Sequence, residues 1–527
     1  MNGGVSPKVS ADGHRQMLKS AGAIGALTGV SRVLGFVRDM VIASAFGTGI
    51  GAEAFVVSFK IPNLLRDLVG EGAANAAFVP VLTECRQKQP KDYWSLVSSL
   101  FFVLAGILLV ISVLGVLLAP AIVRLLAPGF VDAADPGKFP LTVRLTRIIF
   151  PYILLIGLSA LAMGVLNSLR EFTSSALGPI LMNVCMIVAG VFFERQYGPM
   201  ALVVGVLAGG FAQLFCQIGP LTKRGFRLVT PGVGHGYGRK IIRLLIPRAV
   251  GSGLYQVNVF VDSILASFER IVGPGGQSAL YYSNRLFQLP LAIFGVSLAQ
   301  AVLPTFSSQM VDNDREAFKR TFSMTVRMLT FAALPAAVGL IVLSEPIVRI
   351  IFQRGRFDGY STSITSSALF FYGFGLWSCC LIKIMANSFY AMQDTRTPVK
   401  VMGVSVLINV ILSLMLMRTL KIAGLALASS LSAAINLTLL YYFLRRRVGP
   451  IDEVRILKTL GKVLAASAAM GLFNAGMCRL CLGPPGAGQI LILAGCIIMS
   501  IVLYFALCVL LRLEEAHKIL SWRRRKI

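Results

Sequence analysis

The stretch YWSLVSSLFFVLAGILLVISVLGVLLA (93–119) contains no charged side chain from end to end. A helix rises about 1.5 Å per residue, so roughly 20 such residues cross the ~30 Å hydrocarbon core of a bilayer. Outward from it, thirteen further apolar stretches follow: 22–46, 52–84, 141–168, 174–194, 199–221, 241–268, 277–306, 321–344, 363–391, 399–417, 422–444, 459–480 and 488–511. The connections are short and leave no room for a sizeable soluble domain. The expected fold is all-α and integral to the membrane, with about fourteen transmembrane helices.

Composition agrees. The 527 residues are 56% hydrophobic and 14% charged, whereas a soluble domain is about 25% charged. The net charge of +27 would by itself suggest a nucleic-acid partner, but the apolar runs exclude that class. Nine cysteines fall mostly inside apolar runs and read as small buried hydrophobes. Cys478 and Cys481 form a CxxC with no second pair to complete a zinc site. His14, His235 and His517 lie in tails or a loop, which leaves little for histidine catalysis. The polar first twenty residues lack a signal peptide's short apolar core and cleavage site, so the first span is expected to stay in the membrane.

Loop charge orients the spans. Loops and tails on the N-terminal side carry about 29 Lys and Arg, those on the other side about 11. The positive-inside rule then puts both termini of this multi-pass protein in the cytoplasm, which requires an even number of spans.

The chain also resembles itself at an offset of about 220 residues. GVLNSLREFTSSALGPI (164–180) reads like KIMANSFYAMQDTRTPV (383–399), with Asn167-Ser168 against Asn387-Ser388 and a proline, Pro179 or Pro398, opening the next span. AFVPVLTE (77–84) echoes AVLPTFSS (301–308). Two six-helix lobes related by a pseudo-twofold along the membrane normal are expected, plus a C-terminal helix pair. The boundaries are a cytoplasmic N-terminal tail 1–20, N-lobe 21–221, linker 222–240, C-lobe 241–446, helices 13 and 14 over 447–512, and a basic tail 513–527.

Basic residues inside spans include Arg32, Arg38, Lys60, Arg66, Arg147, Arg248, Arg285, Arg327, Lys383 and Lys462. The acids there include Asp39, Glu53, Asp67, Glu71 and Asp262. Facing lipid, each mid-bilayer cation costs at least ~2.5–3.5 kcal/mol. Arg147, Arg327 and Lys462 lie where they can snorkel to the headgroups; the rest are expected to line a water-filled cavity between the lobes. Arg32 and Asp39 share a face of the first helix two turns apart, with Arg38 widening it. Glu53, Lys60 and Asp67 recur at sevens along the second span, with Glu71 near the stripe and Pro62 and Gly70-Glu71-Gly72 loosening the helix. An excess of cations in a low-dielectric cavity selects an anion, and arginine grips phosphate bidentately. A phosphate or diphosphate with an apolar remainder fits best; structural ion pairs holding helices together are the alternative.

SRVLGFVRDMVIASAFGTG, AEAFVVSFKIPNLLRDLVGEGAANAAFVPVLTE, YYSNRLFQLPLAIFGVSLAQAVLPTFS and NSFYAMQDTRTPVK resemble the MurJ (MviN) family of bacterial lipid II flippases, within the multidrug/oligosaccharidyl-lipid/polysaccharide exporter superfamily. The resemblance runs over about residues 20–515 and implies fourteen helices, two six-helix lobes and a final pair whose groove takes the lipid tail. It implies a substrate, undecaprenyl-diphosphate carrying the peptidoglycan disaccharide-pentapeptide. It also implies roles: Arg32, Arg38 and Asp39 match required residues of the first helix, Glu53, Arg66 and Glu71 positions of the second, and Arg285 the arginine of the eighth. Where many relatives carry a second arginine after PNLL, this chain has Asp67. Some members carry a sodium site on helices seven, eleven and twelve; Asp262 and Asn409 match it, with Ser413 in place of a second carboxylate. No other cofactor is implied, and a single chain in contact with membrane lipids is expected to do the work.

The function expected is outward flipping of lipid II by alternating access. Another polyprenyl-diphosphate glycan, such as an O-antigen or exopolysaccharide unit, is the nearest rival. A drug exporter would want a net acidic lining. An enzyme acting on polyprenyl phosphates would need clustered carboxylates or a nucleophile–base pair, and the acids of span 2 are interleaved with Lys60 and Arg66 instead.

Overall fold

The computed structural model describes residues 11–66, 78–227, 229, 235–481 and 487–518, and among them there are helices and no strands. The helices are α1 (Ala11–Phe46), α2 (Ile50–Arg66), α3 (Val79–Lys88), α4 (Tyr93–Leu117), α5 (Ala119–Leu126), α6 (Lys138–Ile149), α7 (Tyr152–Ser168), α8 (Thr173–Phe192), α9 (Glu194–Tyr197), α10 (Met200–Lys223) and α11 (His235–Ala266). They continue with α12 (Glu269–Val272), α13 (Gly276–Pro290), α14 (Ser297–Val311), α15 (Arg315–Val342), α16 (Ser344–Phe352), α17 (Gly359–Ala391), α18 (Arg396–Leu420), α19 (Ile422–Val448), α20 (Glu453–Cys481) and α21 (Ala487–Leu510).

Eleven helical segments among the described residues are long and apolar enough to cross a membrane. They coincide with the third to sixth and eighth to fourteenth expected spans. The first lies within α1, and the seventh follows α11 to Ala266. The second, 52–84, includes residues 67–77, which lie outside the described residues, so these do not close the count of fourteen. On α4 the membrane reading is plainest: Phe102, Val103, Ile107 and Leu117 are all exposed, a face that only hydrocarbon can solvate.

Two compact units emerge. The first comprises Met1–Ala45, Ala54–Leu125 and Gly137–Gly253; the second Phe46–Glu53, Leu126–Pro136 and Leu254–Ile527. Within the first, Phe78, Val81, Leu82, Tyr93, Leu161, Val165 and Leu221 share one apolar core across α3, α4, α7 and α10. α8 and α10 approach closely at Gly205 and Gly209, where an added Cβ would lie 2.7 Å from Ala189 and 2.9 Å from Met182. Small residues four apart are how membrane helices bring their backbones together. Within the second unit, α20 and α21 seat on α15. Leu334, Val463, Met470, Tyr504 and Cys508 pack together there, and the Tyr504 hydroxyl donates to the Phe331 carbonyl at 2.7 Å.

The repeat is visible in the turns. After α7 the Glu171 N–H closes on the Leu166 carbonyl, and after α17 the Asp394 N–H closes on the Phe389 carbonyl, both at 2.9 Å. Arg170 and Gln393 take positive φ in these turns (60° and 57°). Arg224 pairs with Glu171 at 2.7 Å and Arg447 with Asp394 at 2.6 Å. Every pair is 223 positions apart, which sharpens the expected offset and shifts one equivalence. Asn167-Ser168 and Asn387-Ser388 are not counterparts, because Ser168 matches Ala391. Nor does Pro179 open a helix: it lies inside α8, whereas Pro398 sits in the first turn of α18, where proline's missing N–H costs nothing.

The structure also corrects one cation. Arg327 does not snorkel: it is buried and bonds Glu514 and Glu515 at 3.0 and 2.5 Å. Lys462 is exposed, and its ammonium caps the Leu511 carbonyl at 2.8 Å, just past α21.

Candidate functional site

The densest buried charge in the first unit is on α1. Arg38 and Asp39 are 6% and 2% exposed. Neighbours on a helix point about 100° apart and do not ordinarily meet, but the long Arg38 side chain folds back. Its Nε and Nη2 both donate to Asp39 Oδ1, at 3.0 and 2.8 Å. Nη1 donates to Asn183 Oδ1 of α8 at 3.0 Å, and Asn183 Nδ2 donates to the Ser31 carbonyl of α1 at 3.1 Å. Burying charge costs several kcal/mol per ion unless partners close around it, and here a carboxylate and an amide do so. Arg32, expected on the Asp39 face, is exposed, and it is Arg38 that meets Asp39.

Glu53 has a different setting. It is 1% exposed, and its Oε1 accepts the Gln277 backbone N–H at 2.9 Å. Gln277 is the second residue of α13, so the carboxylate sits on the positive end of that helix dipole. Ser263 Oγ donates to Gln277 Oε1 at 3.2 Å, and Gln277 Nε2 donates to the Ser263 carbonyl. The same short segment is fastened again by Thr48 to Ser361 (2.8 Å) and by the Tyr282 hydroxyl to the Gly47 carbonyl (3.2 Å). Gly47 has φ 58°, and an added Cβ would lie 2.4 Å from the Arg356 carbonyl oxygen, so only glycine fits.

The other expected site residues lie on α2, on α13 and in the stretch after α2. Lys60 is half-buried on α2. Arg66 ends that helix, but its side chain lies outside the described residues, as do Asp67 and Glu71 entirely. Arg285 on α13 is half-buried; its guanidinium carbon lies 5.2 Å from the Tyr281 ring centre, a cation–π distance.

A polar cluster in the second unit gathers α11, α18 and α19. Asn409 Nδ2 donates to Asn258 Oδ1 at 2.8 Å and to Asp262 Oδ1 at 3.1 Å. Ser429 Oγ donates to Asp262 Oδ2 at 3.4 Å. Asn409 and Ser413 are fully buried, and Asn409 Oδ1 and Ser413 Oγ have no hydrogen-bond partner. Oxygen-only donors with orphaned lone pairs suit a hard cation. In the 223-residue register Asp262 is the counterpart of Asp39, and Val261 stands where the first unit has Arg38. Asn183, Gln277 and Thr48 escaped the sequence reading because a lone amide or hydroxyl carries neither a charge nor a spacing that marks it.

A profile of the family described as Lipid II flippase MurJ matches residues 42–493. A probable lipid II flippase MurJ of Vibrio cholerae is 37% identical over 440 residues, covering 81% of this chain and 82% of that protein. A lipid II flippase MurJ of Burkholderia cenocepacia is 35% identical, covering 80% and 83%. Among solved structures, lipid II flippase MurJ in an inward closed conformation superposes with a TM-score of 0.77 at 26% identity, over 93% of this chain and 98% of that one. An inward-facing multidrug transporter of the MATE family, at 12% identity and a TM-score of 0.68, shares the fold over 80% of this chain and 96% of its own. On the family profile, the relatives and the superposition together, this chain belongs to the lipid II flippase MurJ family.

Proposed function

We propose that this multi-pass membrane protein moves lipid II from the cytoplasmic to the periplasmic leaflet of the bacterial inner membrane, with both termini in the cytoplasm. The observation that carries the reading is the buried Arg38 guanidinium, held by Asp39 and Asn183, in a chain that matches the lipid II flippase family over residues 42–493. A guanidinium removed from bulk water binds a diphosphate far more strongly than one in solution. Arg38 and Arg285, with Arg32, Lys60 and Arg66, would engage the diphosphate and sugars, and Asp39 would keep Arg38 from being an unpaired charge when no substrate is bound. The site alternates its access between the two faces of the membrane while the polyprenyl tail stays in lipid along the final helix pair, α20 and α21. No covalent step is required.

Sodium is the ion the resemblance implies, and Asp262, Asn409, Ser413 and Ser429 would hold it. The fit rests on the two orphaned oxygens, Asn409 Oδ1 and Ser413 Oγ. Sodium is expected to raise the melting temperature of the purified protein and to lose that effect in Asp262→Ala; an equal shift in the variant would reject these ligands.

Depletion tests the main reading. In a strain without a redundant flippase, it is expected to trap lipid II on the cytoplasmic face and stop wall synthesis. Arg38→Ala and Arg285→Ala are expected to insert normally and fail to rescue. Unchanged periplasmic lipid II after depletion would overturn the assignment.

A further inference from the structure

We infer that Asn183 is a positioning residue for Arg38, fixing the orientation in which its guanidinium meets the diphosphate; this rests on the proposed role of Arg38 in substrate binding. The guanidinium is gripped on two edges by two helices. Asp39, on the same helix, takes the Nε–Nη2 edge at 3.0 and 2.8 Å. Because Asp39 lies next to Arg38 in α1, that contact ties the group only to its own helix. Asn183, 145 positions away on α8, takes Nη1 at 3.0 Å.

The amide's own orientation is fixed from behind. Nδ2 donates to the Ser31 carbonyl at 3.1 Å. Exchanging Oδ1 and Nδ2 would set donor against donor at Arg38 and acceptor against acceptor at Ser31, so only one flip state satisfies both contacts. Asn183 is 7% exposed, so water does not compete freely for either contact.

Residue chemistry matters as much as geometry. Arg38 and Asp39 form a pair with no net charge, and a neutral amide leaves it so. A carboxylate at 183 would accept from Nη1 equally well, but it could not donate to Ser31 and would add a negative charge beside the pair. That added charge would repel an approaching diphosphate. A serine or alanine would lose the contact that Asn183 makes to Nη1. Asparagine is the residue that holds the guanidinium still without cancelling its attraction for an anion.

The test is a double-mutant cycle read by binding of lipid II to the purified protein in detergent. Losing one hydrogen bond to a charged group weakens binding by about tenfold, and that is the expectation for Asn183→Ala. In an Arg38→Ala background the same change is expected to alter binding less than about twofold, because the group it positions is gone. Asn183→Asp, isosteric with the parent, is expected to fold with a lowered melting temperature, since it buries a second carboxylate near Asp39, and to bind at least as poorly as Asn183→Ala; it carries the test if the alanine variant does not purify. If Asn183→Asp binds like the parent, or if Asn183→Ala weakens binding equally in both backgrounds, the positioning role is overturned. If Arg38→Ala itself binds like the parent, the diphosphate reading falls and this inference with it. If only Arg38→Ala loses binding, the inference alone falls.

Discussion

Arg327 sits well inside α15, where position alone suggests a cation reaching for the headgroups. Instead its side chain is 7% exposed and shared by Glu515, 4% exposed, and Glu514, 59% exposed. Both acids lie beyond the last long helix, so no spacing rule links them to residue 327; only the folded chain makes the pair. Removing Arg327 strands Glu515 as a buried charge, so Arg327→Ala is expected to cost about 3–5 kcal/mol. Glu514 is largely solvated, and Glu514→Ala is expected to cost less than about 1 kcal/mol. Thermal melts in detergent check both. The hydrogen bond from Arg327 holds the Glu514 carboxyl below its usual 4.5. What that contact contributes is therefore present above the free-carboxylate value and fades as pH falls through the lowered one.

At the scale of elements, the duplicated turns set the register, and one residue shows the strain this leaves. Gly198 and Lys421 are counterparts, with φ 55° and 54° and ψ −141° and −130°. That backbone belongs to the first central position of a type II′ turn, which glycine occupies without penalty and lysine does not. Nothing lies within 4 Å of a Cβ built on Gly198, so the difference between the two is backbone strain and not crowding. Lys421→Gly is expected to stabilise the protein by about 1 kcal/mol, and Gly198→Ala to destabilise it by a similar amount, both read from melting temperatures. The acids of the two turns are tied alike. Burial would raise Asp394, but hydrogen bonds from Thr397, with Arg447 and Arg396, hold it below its ordinary value. At α3, Glu84 pairs with both Lys88 and Lys240, at 2.9 and 2.5 Å. Spans and repeat were legible in the sequence because periodicity and loop charge are one-dimensional signals. The repeat's exact register was not, because Asn167-Ser168 and Asn387-Ser388 look alike yet fall three residues apart, and only turn geometry separates them. Within the site, Arg38 and Asp39 were legible as charges where charge is costly. Their holder Asn183 was not, being one amide in an apolar helix.

Across the whole molecule the charge of +27 divides between loops and spans. The loop share is the part the positive-inside rule reads for orientation, whereas two of the buried cations meet acids, Arg38 with Asp39 and Arg327 with Glu515. A diphosphate leaving the cytoplasm moves with an inside-negative potential, worth ~2.3 kcal/mol per charge per 100 mV. Collapsing that potential with an ionophore is expected to slow the appearance of lipid II outside, measured by its accessibility in the outer leaflet. Position 38 and its counterpart, 261, separate the two copies further. The first copy carries a guanidinium beside its acid as part of its own sequence, so its neutrality is inherited. The second carries valine there, so whatever balances Asp262 must come from elsewhere in that copy or from solution. The same helix position thus carries a cation beside its acid in one copy and an apolar side chain in the other.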